Sequence, residues 1–243
     1  TPVTSLLDGQ AVKVGYDFLI TAGSTAVNDR FKLLHFNTRD TTEMLLLYKK
    51  IEKGFDEHDA LVLHFSNERN SAVPDSCLAH RHMPRLIIFT EEKKLTHTIA
   101  TEPAAYNSLV FIDSAIAGKE SIEIKFENKF ENAFENRNII GLIKGKKTDS
   151  FMVFSAHYDH LSMQGNAMFP GASDNASGCS MILYLARYYS EHKPPCNMVF
   201  ILFSGEEAGL IGSDYFTSFP TFDIHKIKML VNIDIMGDAK NGI

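Results

Sequence analysis

FMVFSAHYDHLSMQGNAMFPGASDNASG, residues Phe151 to Gly178, decides how the rest of the chain is read. The apolar run Phe151 to Ala156 stops abruptly at His157-Tyr158-Asp159-His160. A loop rich in Gly, Asn and Pro follows, ends in Gly171-Ala172-Ser173-Asp174-Asn175-Ala176-Ser177-Gly178, and gives way to a helical pattern. A short apolar run bounded by loop signals predicts a buried strand. Metal-ligand side chains just past the C-terminal end of such a strand stand where open α/β sheets gather their ligands.

Downstream the pattern repeats. Met181, Ile182, Leu185, Ala186 and Tyr189 mark one apolar helical face, and Lys193-Pro194-Pro195 ends it. Asn197 to Phe203 predicts a strand running into Ser204-Gly205-Glu206-Glu207-Ala208-Gly209. A helix is expected from about Leu210 to Phe216, then a strand from Lys228 to Ile233 that ends at Asp234. Asn138 to Ile143 predicts one more strand upstream. Alternation of strand and helix after residue 138 is the α/β pattern, with a central sheet covered on both sides.

Upstream the chain is β-rich. Ala60 to Phe65, Arg85 to Thr90, Ser108 to Asp113 and Ile122 to Phe126 read as strands, and Asp8-Gly9 as a hairpin turn. Thr42 to Lys53 reads as a helix with Met44, Leu45, Leu47 and Tyr48 on one face. Phe126, Phe130 and Phe134 recur every four residues in a small repeat, read as a long strand entering a connector. His80-Arg81-His82 reads as a solvated loop, because no third ligand has a suitable spacing to it. The domain boundary is expected near Glu135, dividing the chain into 1–135 and 136–243.

Bulk properties narrow the function. The 243 residues allow one large domain or two smaller ones, and 44% hydrophobic residues suffice for a sizeable core. A net charge of -6 argues against a nucleic-acid or anionic-membrane partner. No apolar stretch is long enough to span a bilayer. Cys77, Cys179 and Cys196 are too scattered for a disulfide framework and lack thiolate-zinc spacing; Cys179 reads as a small core residue on a helix. Neither a GxSxG elbow nor a P-loop is present.

His157, Asp159, Asp174, Glu206, Glu207 and Asp234 therefore fall after buried strands of one sheet. Alone, each has an ordinary explanation as a cap, a turn former or a solvated helix start. Together, imidazole and carboxylates suit zinc, and manganese or cobalt would also fit. Converging carboxylates repel unless cations lie between them. The adjacent Glu206-Glu207 pair suits two jobs, one carboxylate binding metal while its neighbour acts as general base on a water. His160 could be a ligand, but reads first as a structural or supporting residue.

AHYDHL, PGASDNASG, FSGEEAGLIGSDYF and VNIDIMG resemble, in order and spacing, the four successive motifs of the co-catalytic zinc aminopeptidases. That superfamily includes aminopeptidase Y, glutamate carboxypeptidase II, the glutaminyl cyclases and the transferrin receptor. The resemblance, covering about Asn138 to Gly237, implies an α/β fold, the phosphorylase/hydrolase-like three-layer sandwich with a mixed central sheet. It further implies two zinc ions, with His157 and Asp234 on one, Glu207 on the other and Asp174 bridging both. Asp159 would orient His157, and Glu206 would be the catalytic base and then the acid. The β-rich half resembles the protease-associated domain of secreted members, which implies a secreted or periplasmic location and a peptide substrate. The implied activity is that of a zinc exopeptidase, an aminopeptidase first; a glutaminyl cyclase-like acyltransferase and a metal-free receptor-like protein are the alternatives. The family's last metal-binding His follows the NxDxxG motif, and His225 precedes Asp234, so that His is expected outside this chain. The start at Thr1 and the lack of upstream helices lead to the expectation of a fragment of a longer peptidase.

Overall fold

The computed structural model describes residues 3–65, 73–78, 82–92, 94–131 and 133–236, which divide into two units. One comprises Thr1–Asn132 with Met163–Met168, the other Ala133–Ser162 with Phe169–Ile243. Of the histidine-rich trio, His80 and Arg81 lie outside the described residues, as does Gly237 of the last motif.

The first unit is built on one eight-stranded sheet. Its strands are β1 (Thr4–Leu7), β2 (Gln10–Ala11), β3 (Phe18–Ile20), β4 (Ala26–Asn37), β5 (Asp59–His64), β6 (Leu86–Glu91), β7 (Asn107–Ile112) and β8 (Ser121–Glu127). They run in the order β2-β1-β8-β4-β5-β6-β7-β3. The Asp8-Gly9 turn joins β1 to β2 with both residues at positive φ, as a two-residue hairpin requires. β4 through β7 are mutually parallel, so this half contains a crossover segment as well as hairpins. Helix α1 (Thr41–Lys53) makes the β4-to-β5 crossover; Asp40 caps it by accepting from the Thr42 and Glu43 amides. Its buried face is Leu47 and Ile51 with Met44 packed beside them, while Leu45 and Tyr48 are exposed. The helical stripe is thus rotated from the expected one. Two short helices, α2 (Asp75–Leu78) and α3 (Asp113–Ile116), complete the described elements, with a ribbon pairing Met163–Gln164 to Ala167–Met168.

The long strand expected through the Phe126-Phe130-Phe134 repeat stops at Glu127. There the Asn128 amide donates to Thr25 O, and its side chain to Ser24 O, which closes the ladder. Phe126 is buried, whereas Phe134 is 75% exposed in the connector.

The second unit carries the strand-helix alternation. Its sheet holds β9 (Ile139–Ile143), β10 (Lys147–His157), β11 (Cys196–Phe203) and β12 (Ile227–Asn232) in the order β12-β10-β11-β9. β10 pairs in parallel with β11 and β12, and β9 is antiparallel, so the sheet is mixed. Helix α4 (Gly178–Glu191) returns the chain from β10 to β11 on one side; α5 (Ile211–Ser218) precedes the return to β12 on the other. Crossovers of one hand running in opposite directions place their helices on opposite faces. Accordingly, Ile182 of α4 packs with Ala156, Met198 and Phe200, while Phe216 of α5 packs with Val153, Val199 and Ile201. The result is a three-layer α/β sandwich in which β10 is the switch strand.

Candidate metal centre

The sheet register brings the polar residues together. His157, the last residue of β10, lies opposite Phe203, and Ser155 lies opposite Asn232. Two backbone bonds continue the ladder, Tyr158 N to Phe203 O at 2.9 Å and Ile233 N to Ser155 O at 2.7 Å. Three parallel strands therefore end at one level. His157, Glu206 with Glu207, and Asp234 emerge beside the switch strand, where open sheets bind ligands.

Asp174 reaches the same point from the loop before α4. Nε2 of His157 stands 3.1 Å from Asp174 Oδ1, 3.4 Å from Asp234 Oδ1 and 3.9 Å from Glu206 Oε2. The His157 side chain is 4% exposed, yet Nε2 has no hydrogen-bond partner. Its Nδ1 faces the backbone carbonyl of Asp159 at 3.1 Å. A carbonyl only accepts, so the proton belongs on Nδ1, and the Nε2 lone pair is turned toward the carboxylates.

A buried lone pair facing three carboxylates is unfavourable unless a cation lies among them. The titration of the groups reflects this. Burial opposes charge on His157, but Glu206, Asp234 and Asp174 outweigh it and hold the ring's pKa above its ordinary value. Burial raises the Glu206 carboxyl, and the neighbouring Glu207, Asp234 and Asp159 add to it against the attraction of His157. His157, Asp174 and Asp234 can each offer one ligand atom, all within 4.8 Å of one another. His160, Asp174 and Glu207 form a second such group, so Asp174 is common to both. The donor set, two imidazoles with carboxylates, fits divalent zinc.

Asp159 faces both the His157 ring and the turn that follows β11. Its carboxylate is 3.8 Å from His157 Nδ1, and the closer partner of the ring is its backbone carbonyl. The carboxylate instead accepts the Glu206 and Glu207 amides, each at 3.2 Å. It fixes the turn that carries both glutamates.

Asn175 is the residue that sequence reasoning passed over. It is 2% exposed. Its Nδ2 donates to Ile233 O at 3.0 Å, and its Oδ1 accepts the Gly178 amide at 3.0 Å. The Asp174 loop, the start of α4 and the strand end bearing Asp234 are thus held by one amide. A Cβ on Gly178 would overlap both Asn175 Oδ1 and Ile233 O, so the close approach needs glycine there. Ser177 adds a tie, accepting the Met236 amide at 2.9 Å. Asn138 does similar work at the other end, donating to Gly212 O and accepting from Ser204 N. An amide inside a polar motif looks like any turn residue; only its buried partners distinguish it.

Residues 138–243 match the family model described as Peptidase family M28. A probable zinc metalloprotease of Pyrenophora tritici-repentis is 33% identical over 108 residues, which cover 42% of this chain and 24% of that protein. Aminopeptidase YwaD of Bacillus subtilis is 33% identical over 106 residues, covering 42% of this chain and 22% of that protein. The chain spans about a quarter of the length of the curated relatives it matches. A zinc aminopeptidase structure from Bacillus subtilis, BSAP, has the same fold, with a TM-score of 0.68 at 19% identity over 96% of this chain and 55% of that one.

Proposed function

We propose that this chain carries the metal centre of a zinc-dependent exopeptidase, an aminopeptidase in the first instance. The observation that carries the reading is His157 Nε2, buried, without a hydrogen-bond partner and ringed by carboxylates from three separate segments. His157, Asp174 and Asp234 would hold one zinc ion; Asp174 and Glu207 would hold a second. When bound, the ions would polarise a peptide carbonyl and lower the pKa of an attacking water.

The remaining steps belong to the chain. Glu206 would take the water's proton and pass it to the leaving amine, and burial favours that role by raising its affinity for a proton. Asp159 would hold Glu206 and Glu207 at fixed separation through their amides. The surplus of carboxylates would attract the free ammonium of a peptide N-terminus. Residues 1–135 would form a protease-associated-like domain and 136–243 the peptidase part, in a secreted or periplasmic protein. The relatives named above are called metalloproteases or aminopeptidases, which favours hydrolysis over glutamine cyclisation or metal-free binding.

The test is zinc content followed by hydrolysis. Zinc uptake lost in Asp174→Ala, with cleavage of peptides bearing a free N-terminus, is the expected result. Equal cleavage of N-acetylated peptides would refute the aminopeptidase reading. Absence of metal uptake would refute the centre itself.

A further inference from the structure

Strand β3 ends the first unit's sheet, and no further strand of the ladder follows it among the described residues. Its inner side pairs with β7, and Thr21 N continues that pairing by donating to Ser108 O. Successive residues of a strand turn their peptide groups to opposite sides. The N–H and C=O of Ile20 therefore point away from β7, although Ile20 is 2% exposed. One side chain takes both: Ile20 N donates to Gln164 Oε1, and Gln164 Nε2 donates to Ile20 O, each at 2.7 Å. A carboxamide can do this because it offers a carbonyl beside an N–H, as a neighbouring strand would.

Gln164 lies on the ribbon Met163–Met168, which belongs to the first unit although it interrupts the loop from His157 to Asp174. Met163 pairs with Met168 and Gln164 with Ala167, and Phe169 N closes the base by donating to Ser162 O at 2.9 Å. So short a hairpin is marginal alone and needs a seat. Two glycines shape that seat from opposite sides. A Cβ on Gly165 would overlap Val14 Cγ1, and a Cβ on Gly15 would overlap Ala167 Cβ. Covering a sheet edge needs only a charge, a proline or a bulge; a paired amide with two glycine fits also fixes a position. Five residues, 158–162, lead from His157 into the ribbon, and five, 169–173, lead from it to Asp174. Seated, the ribbon divides this loop into two short spans. Released, the whole loop would have to be ordered at once to bring Asp174 to His157, at a greater entropic cost.

Resting on the metallopeptidase reading above, we propose that Gln164 is a positioning residue of the metal centre: by joining the ribbon to β3, it holds the loop through which Asp174 is brought to His157. It supplies no ligand and acts only through the loop. Seating of the ribbon and binding of metal then favour each other, and linkage makes the two effects equal in size.

The test measures zinc affinity, by competition with a chromophoric chelator, and protection of the Ile20 amide, by hydrogen exchange. Wild type, Gln164→Glu and Gln164→Ala are compared. Gln164→Ala removes both bonds; Gln164→Glu keeps the acceptor for Ile20 N and loses the donor to Ile20 O. Zinc should bind about 10-fold more weakly to Gln164→Ala, the lower end of the loss caused by removing a partner that orients a ligand. Gln164→Glu should fall between the two. In wild type, zinc should slow exchange of the Ile20 amide by about the same 10-fold. Lost Ile20 protection in Gln164→Ala with unchanged zinc affinity would mean that the ribbon only covers the β3 edge; it would overturn the proposal and leave the metal centre standing. Exchange at Ile20 that ignores zinc in wild type would do the same. Absence of zinc binding by wild type would overturn the metallopeptidase reading and this inference with it. Circular dichroism of the zinc-free variants checks the fold; if Gln164→Ala does not fold, Gln164→Glu and the wild-type exchange measurement decide.

Discussion

Replacing Asn175 by alanine tests whether one buried amide holds the centre together. The change removes the donor to Ile233 O and the acceptor of the Gly178 amide. Both backbone groups lie where Asn175 is 2% exposed, so water does not readily replace it. A buried polar group left without a partner costs about 1–3 kcal/mol, which puts the pair at about 2–6 kcal/mol. The Gly178 amide also opens α4, and loss of a helix cap alone costs about 0.5–2 kcal/mol, consistent with the lower half of that range. Against a stability of about 5–15 kcal/mol for a domain, this is a large share. Urea unfolding of the zinc-free chain, followed by circular dichroism, should show the second unit's transition moved to lower denaturant. Asn175→Asp keeps an acceptor for Gly178 but removes the donor to Ile233, and should fall between alanine and wild type or below. Zinc affinity should drop as well, because Asp174 and Asp234 lose their common brace. A shift of less than about 0.5 kcal/mol in Asn175→Ala, the size of an ordinary surface change, would refute the reasoning.

Glu206→Gln should leave zinc content unchanged while turnover falls about 10²- to 10⁴-fold, the contribution of a positioned general base; undiminished turnover would remove Glu206 from that role. Gly178→Ala sets two effects against each other. Alanine favours a helix by about 1 kcal/mol, but its methyl would collide with Asn175 and Ile233 O, and overpacking costs about 1–3 kcal/mol; net destabilisation with weakened zinc binding is expected, read by denaturation and zinc titration. Acid should weaken the first unit in two stages. Burial lowers the pKa of His35 and His97 below 6.5, so the unfolded chain takes up their protons first. That stability is complete above about pH 6.5 and is lost as pH falls through the lowered values. Burial pushes the Asp113 carboxyl upward, but hydrogen bonds from His64 and Thr90 prevail and hold it below 3.8, so its contribution disappears only in stronger acid. The urea midpoint of the first unit, measured from pH 7.5 to 3, should therefore decline; a midpoint that rises between pH 7 and 5 would contradict the assignment.

What could be read from the sequence followed from period and position. β10 and β11 are apolar on both faces, so their runs stand out, and their ends mark the centre. His157, Asp174, Glu206, Glu207 and Asp234 stand out as candidates because each follows such a run or comes just before a helical pattern. The α1 stripe was misplaced because Leu45 and Tyr48 are apolar but exposed, and composition does not say which side of a helix meets the sheet. The phenylalanine repeat misled for a related reason: Asn128 ends the strand through bonds to Ser24 and Thr25, about a hundred residues away in sequence. Long-range partners of this kind leave no local trace.

The same distinction divides the centre itself. Ligand types can be recognised from chemistry, whereas the groups that place them act through the backbone. Asp159 has the residue type of a ligand or an imidazole partner, yet its carboxylate is occupied by the Glu206 and Glu207 amides. Asn175 has no ligand chemistry at all, yet it joins the segments of Asp174 and Asp234. Carboxylates crowded without a cation push one another apart, so this centre needs restraints on the turns that carry them. A buried amide and an amide-accepting carboxylate meet that need, because they fix the turns while leaving the oxygens of Asp174, Glu207 and Asp234 free to face inward. Substitutions at Asn175 should consequently weaken folding and zinc binding together, whereas substitution of Glu206 should leave both and remove only turnover.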